Sequence, residues 1–232
     1  MPPLRSNTYL HVAIAVYIVL IQMLGLFFSG FLQFILSGSP TILLLVLVIA
    51  CRSNALPRYR WSIVVALGLS EVAHSLLGKG LFVPGVIVFM TANIAYLVAF
   101  TTEASFAKHK APFACFGIFC SLILAVVVWK FPVDYLIPVL LYCVSIVSVP
   151  SQAFVRNMVI QQESTLWAVV GSMLLLISDA AIPIDMFFGK GPWLGQFVMF
   201  TYFGGQWLIV ASVLNAEKKW QATPFRVVNV EE

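Results

Sequence analysis

The sequence predicts an all-α fold, a polytopic membrane bundle of eight transmembrane helices, and three observations carry that expectation. Hydrophobic residues make up 61% of the 232-residue chain and charged residues only 9%, with a mean hydropathy of +1.00. That is far from the balance of a soluble globular domain. Apolar runs of roughly 20 residues recur along the whole chain, the length a helix needs to cross a hydrocarbon core of ~30 Å. Basic residues are also segregated between alternating connections, as orientation in a bilayer requires. A single integral membrane domain over 1–232 follows, with halves at about 9–102 and 111–214 and a tail over 215–232.

The spans read as 9–28, 36–53, 60–78, 81–102, 111–130, 135–154, 164–188 and 193–214. The first is too long for the apolar core of a signal peptide and leads into more membrane, so it reads as a retained anchor. Pro40 stands near the start of the second, and the preceding "FLQFILSG" is either interfacial or part of the same helix. The third and fourth spans are joined by a Gly-Lys-Gly turn, Gly78 to Gly80, and the seventh and eighth by another, Gly189 to Gly191. On the sixth, Tyr142, Ser145 and Ser148 recur every three residues and form a polar stripe. Trp61, Trp129, Trp167 and Trp193 fall near span ends, where amphipathic rings prefer to sit.

With eight spans, the N-terminus, the loops 52–60, 103–110 and 155–163 and the tail share one side. They hold Arg5, Arg52, Arg58, Arg60, Lys108, Lys110, Arg156, Lys218, Lys219 and Arg226, whereas the opposite loops hold only Lys79, Lys130 and Lys190. This asymmetry predicts that both termini are cytoplasmic. The net charge of +4 therefore reports orientation, and no basic run is dense enough to indicate a nucleic-acid partner. Cys51, Cys115, Cys120 and Cys143 lie in or at the ends of apolar spans without metal-ligand spacing, which predicts free buried thiols and no metal site.

Spans three and four resemble spans seven and eight. Each pair runs from a Ser-acid step (Ser70-Glu71, Ser178-Asp179) through a Gly-Lys-Gly turn to a returning helix dotted with polar residues. The acid precedes its turn by seven residues in one half and by ten in the other. Chance similarity between short apolar windows explains the turns alone. The match also includes acidic residues, which membranes penalise, and this favours two parallel four-helix repeats with a polar site between them.

At 1.5 Å rise per residue, Glu71 lies ~16 Å along its helix from Arg60 and Asp179 ~22 Å beyond Ser164. Asn93, Tyr202 and Gln206 on the returning helices reach ~14 to 20 Å deep, so these groups share one level. A charge at the centre of a span costs roughly 2.5 to 3.5 kcal/mol, and the default reading of an intramembrane ionisable residue is functional. The structural alternative is that the acids pin helices together, a task usually given to Ser, Thr, Asn or Gln. Glu71 and Asp179 are therefore the candidate reactive pair. Asn93, Tyr202 and Gln206 are candidates to orient water or substrate, and Tyr142 to line the site. His74, one turn from Glu71, reads as a packing or hydrogen-bonding histidine, and Asp185, close to the outer end, as a solvated carboxylate. HExxH, GxSxG, Rossmann and Walker signatures are all missing, so zinc-water and serine-nucleophile hydrolysis are unsupported and no cofactor is implied.

"ALGLSEVAHSLL" followed by "FMTANIAYLVAF", then "GSMLLLISDAAIPI" followed by "TYFGGQWLIVAS", resembles the lysoplasmalogenase (YhhN-like) family of eight-span membrane proteins. "SPTILLLVLV" is similar to that family's proline-led second span, and the likeness is strongest over 170–212. The resemblance implies metal-free hydrolysis of the vinyl ether bond of lysoplasmalogens to a fatty aldehyde and glycerophosphoethanolamine or glycerophosphocholine. It also implies two intramembrane acids, which map onto Glu71 and Asp179, and a lysophospholipid substrate drawn from membrane lipids. Where the family pattern reads Gly-Asp this chain has Ser70-Glu71, and Asn93 stands at the family's usual histidine. The expected location is the endoplasmic reticulum for a eukaryotic source and the inner membrane for a bacterial one. Parallel repeats with deep acids also suit a second class of function, a non-catalytic lysolipid-binding protein or a lipid- or proton-coupled transporter.

Overall fold

Hydrocarbon offers no partner to a backbone N–H or C=O, so a chain this apolar must satisfy those groups within each segment. The computed structural model describes residues 8–25, 27–28, 31–50, 57–127, 136–188 and 192–222, and all regular structure among them is α-helical. The helices are α1 (Thr8–Gly25), α2 (Phe31–Ala50), α3 (Pro57–Gly78), α4 (Phe82–Phe100), α5 (Ala111–Val127), α6 (Leu136–Ile160), α7 (Glu163–Phe188) and α8 (Pro192–Ala222). Five stretches are long and apolar enough to cross a membrane: Pro57–Gly78, Phe82–Phe100, Ile137–Ile160, Glu163–Ile182 and Trp193–Asn215. Tyr9–Gly25, Leu36–Ala50 and Ala111–Leu122 are shorter apolar helices. The chain is an all-helical integral membrane protein.

Several boundaries differ from the sequence-based expectation. "FLQFILSG" belongs to α2, whose helix continues through Pro40. Proline frees the carbonyl four residues back, here Leu36, and the Ser39 hydroxyl donates to that oxygen at 2.8 Å. Tyr17 of α1 in turn donates to Ser39 Oγ at 2.9 Å. Helix α3 begins at Pro57, so Arg60 is a helix residue, and it donates to the Ile49 carbonyl at 3.3 Å. It ends at Gly78 in a Schellman arrangement, with Leu81 N–H bonded to Leu76 C=O and Gly80 N–H to Leu77 C=O. Gly80 sits at φ +76°, a conformation that only glycine adopts without strain. The second Gly-Lys-Gly turn, the C-terminal residues 223–232, Cys51, Trp129 and Lys130 lie outside the described residues.

Helix α6 runs six residues past its expected end at 154, and the supposed loop 155–163 is therefore mostly helix. Its last turns carry polar residues that are buried against protein: Gln152 is 0% and Arg156 1% exposed. Gln152 accepts from Ala107 N–H at 3.1 Å and donates to the Ala104 carbonyl at 3.0 Å, which holds Ala107 at φ +50°. Arg156 pairs with Glu103, lies 4.3 Å over the Tyr59 ring and donates to the Tyr59 hydroxyl at 3.3 Å. Tyr59 Oη is 2.6 Å from Ser212 Oγ on α8. One network thus joins the 101–110 connection to α3, α6 and α8. Helix α8 likewise continues to Ala222, beyond the expected end at 214. Cys115 is exposed where a buried thiol was expected, whereas Cys120 is buried and Cys143 partly so; all three are free.

Side-chain polarity is inverted relative to a soluble bundle. On α7, Leu166, Val170, Met173 and Ile177 face outward at helical spacing, while Ser164, Thr165, Ser172, Ser178 and Asp179 are buried. The most extensive helix pairs are α7 with α8 and α3 with α4, followed by α4 with α6 and α6 with α7. Small residues bring the first pair close: a Cβ at Gly171 or at Gly205 would stand 2.7 Å from the other's carbonyl oxygen. Adding four to each label carries the pairs α1/α2, α2/α3 and α3/α4 onto α5/α6, α6/α7 and α7/α8, and carries α4/α6 onto α8/α2, all of which are packed.

Candidate functional site

Glu71 on α3 projects toward the stretch of α2 just before Pro40. A Cβ built on Gly38 would fall 2.2 Å from Glu71 Oε1 and 3.0 Å from its Cδ, so the carboxyl occupies the space a side chain at position 38 would take. Thr41, next to Pro40, interacts with the same carboxyl. Its hydroxyl donates to Gln206 Oε1 of α8 at 2.8 Å. Glu71 Oε2 and Gln206 Nε2 are both buried without a hydrogen-bond partner among the described residues.

Asp179 on α7 is 5% exposed. It faces Tyr142 of α6 and interacts with that phenol. The Tyr142 hydroxyl, like that of Tyr96 on α4, is buried and makes no hydrogen bond of normal geometry among the described residues. Tyr96 interacts with the Ser70 side chain and with Asp179. The close approach of Gly171 and Gly205 holds α7 on α8, and Ser178 Oγ donates across that pair to the Val198 carbonyl at 3.0 Å. The residue before Asp179 thereby sets the rotation of its helix.

Tyr202 on α8 links the two acids. Its hydroxyl donates to the Ser70 carbonyl at 3.3 Å. Its ring stacks on His74 at 6.1 Å and meets Phe89 edge-on at 6.0 Å. It interacts electrostatically with Tyr96, Asp179 and Glu71. No hydrogen bond joins the two carboxyls among the described residues.

Of the residues singled out from sequence, Glu71, Asp179, Tyr142, Tyr202 and Gln206 come together here. Asn93 takes a different place: its amide donates to Ser145 Oγ at 3.2 Å, and Ser145 donates to the Tyr142 carbonyl at 2.7 Å. It therefore ties α4 to α6 behind Tyr142. His74 Nε2 lies 3.5 Å from Ser37 Oγ, and with its stacking on Tyr202 the ring is part of the wall. Ser148 bonds to its own helix at Val144. The side chain of Asp185 lies outside the described residues.

Sequence reasoning missed Tyr96, Thr41 and Gly38. Tyr96 follows Asn93 by three residues, on the same helical face, so a face argument alone would have found it. Gly38 and Thr41 carry no such signal, because their roles depend on how α2 lies against α3 and α8.

The chemistry available is specific. Two carboxyls on different helices lie within electrostatic reach of one phenol, and near them the hydroxyls of Tyr96 and Tyr142, the amide nitrogen of Gln206 and one carboxylate oxygen of Glu71 are buried without a hydrogen-bond partner among the described residues. Buried polar groups without partners are costly, so these point to a polar occupant. Among the described residues no group of three or more His, Cys, Asp or Glu is placed to hold a metal ion. Comparison with curated proteins and with solved structures gives no match. The model of the YhhN family matches residues 32–213. That stretch contains every residue of the site just described, and the chain belongs to the YhhN family, the family of lysoplasmalogenases.

Proposed function

We propose that this protein hydrolyses the vinyl ether bond of lysoplasmalogens, releasing a fatty aldehyde and glycerophosphoethanolamine or glycerophosphocholine. The observation that carries the proposal is that the Tyr202 hydroxyl is bonded to the backbone immediately before Glu71 and lies within electrostatic reach of both acids, near buried polar atoms that have no hydrogen-bond partner among the described residues. The family's association with lysoplasmalogenase activity supplies the reaction class.

Cleavage begins with a proton delivered to the outer vinyl carbon, which makes the inner carbon an oxocarbenium ion. Water adds there and loses a proton, and the hemiacetal collapses to aldehyde and alcohol. One carboxyl supplies the first proton, and the other, as carboxylate, stabilises the cation and takes the proton from water. Glycosidases divide two carboxyl groups in the same way by environment. Glu71 and Asp179 form this pair. Tyr142, Tyr202 and Gln206 orient water and substrate, and Asn93 contributes through Tyr142. The substrate is a lysophospholipid drawn from the surrounding membrane.

The eight helices are read as eight spans in two parallel repeats, a reading supported by the recurrence of helix pairs when four is added to each label. Both termini are cytoplasmic in this reading; the excess of basic residues on that side persists when the buried Arg60 and Arg156 are set aside. The location is the endoplasmic reticulum in a eukaryote or the inner membrane in a bacterium. The deciding experiment incubates purified protein with a lysoplasmalogen and measures fatty aldehyde, with Asp179→Asn as control. Aldehyde from the wild type alone supports the proposal. Lysolipid-dependent thermal stabilisation or flux in liposomes, with no aldehyde formed, would replace it with a binding protein or a transporter.

A further inference from the structure

The two acids of the site differ by one methylene, and the longer one stands against α2. The three atoms nearest to a Cβ built on Gly38 all belong to Glu71: Oε1 at 2.2 Å, Cδ at 3.0 Å and Oε2 at 3.5 Å. Among the described glycines none has Asp179 as such a neighbour; its electrostatic partners Tyr96, Tyr142 and Tyr202 lie on α4, α6 and α8. We propose that Gly38 is a positioning residue: its missing side chain is the room in which the Glu71 carboxyl stands, so that Gly38 and Glu71 act as a matched pair and α2 is a working wall of the site.

Three features of α2 support this. Ser39 donates to the Leu36 carbonyl and Tyr17 donates to Ser39, so the backbone at Gly38 is held in place. Thr41, one turn on, interacts with the same carboxyl and bonds to Gln206. The clashing atom is the far end of a side chain, and a methyl at position 38 would therefore displace the carboxyl by about 1 Å and leave the helix backbone where it is. Displacements of that size in a reacting group cost on the order of a hundredfold in rate. Shortening the acid by one methylene, about 1.5 Å of bond, withdraws it from the contact.

The inference rests on the hydrolase reading for its effect on turnover, and a second readout tests it without turnover. The experiment is a cycle of wild type, Gly38→Ala, Glu71→Asp and the double variant, each purified in detergent and checked for a monodisperse, folded species. Aldehyde release is measured together with the rate at which a hydrophobic carbodiimide labels position 71, read by peptide mass spectrometry. Gly38→Ala is expected to lower aldehyde release by about tenfold or more with Glu at 71, and by less than about twofold in the Glu71→Asp background. Carbodiimide labelling is expected to change by at least about threefold in the first background and to stay level in the second. If Gly38→Ala prevents folding, recovery of the folded species by adding Glu71→Asp supports the pair. Equal effects of Gly38→Ala in both backgrounds, in labelling or in folding, overturn it. Wild type that labels as expected but releases no aldehyde overturns the hydrolase reading and leaves the pairing standing.

Discussion

The Tyr202 hydroxyl donates to the backbone carbonyl of Ser70 at 3.3 Å, so α8 is bonded to α3 at the residue immediately before Glu71. That bond, with the ring held between His74 and Phe89, sets where the phenol stands relative to both acids. Tyr202→Phe keeps the ring and loses the bond. The expected cost is about 1 kcal/mol of stability, read as a small drop in thermal midpoint in detergent. Aldehyde release should fall by roughly tenfold or more if the hydroxyl also orients substrate; full turnover would confine Tyr202 to packing.

Glu71→Gln and Asp179→Asn each remove a proton donor or acceptor while keeping shape. General acid–base groups contribute typically about 10²- to 10⁴-fold, and each variant is expected to lose activity on that scale while remaining folded by size exclusion. Because the two acids act on one reaction, the double variant should be scarcely worse than the poorer single one. Losses that multiply would mean independent roles.

Tyr96 and Tyr142 offer a test that separates function from stability. Both hydroxyls are buried without a hydrogen-bond partner among the described residues, and a buried unsatisfied polar group costs about 1 to 3 kcal/mol. Tyr96→Phe and Tyr142→Phe should therefore leave the thermal midpoint unchanged or raise it, while aldehyde release falls. A large loss of stability in either variant would show that its hydroxyl is satisfied within the protein.

Arg156 is 1% exposed and paired with Glu103. Removing one partner of a buried pair leaves the other uncompensated, at about 3 to 5 kcal/mol. Arg156→Met should lower expression and thermal midpoint sharply, and adding Glu103→Gln should recover much of the loss. Denaturation of the four proteins of this cycle measures the coupling; additive effects would place the pair in water.

A Cβ at Gly171 would meet the Gly205 carbonyl at 2.7 Å, and the converse holds at Gly205. Backbone cannot swing aside as a side chain can, so Gly171→Ala should separate α7 from α8 and cost about 1 to 3 kcal/mol. Aldehyde release should fall as well, because Asp179 and Tyr202 lie on this pair. Gly68→Ala, with open space around it, is the control expected to do neither.

Sequence by itself determined the class of solvent, the all-helical architecture, the order of the elements and the two unusual acids. Each of these follows from composition, run length and the penalty on charge in hydrocarbon, all of which are local and sum along the chain. Tertiary structure decided the rest. That Arg156 would be a helix residue, buried against the 101–110 connection, was not legible, since a basic residue after an apolar run reads as the start of a loop until a Glu103 is found to meet it. Asn93 sat at the right depth and yet bonds to Ser145, because depth is set by counting residues whereas direction is set by how each helix rotates against its neighbours. Gly38 and Thr41 entered the site for the same reason: the packing of α2 against α3 and α8 places backbones that no single stretch of sequence encodes.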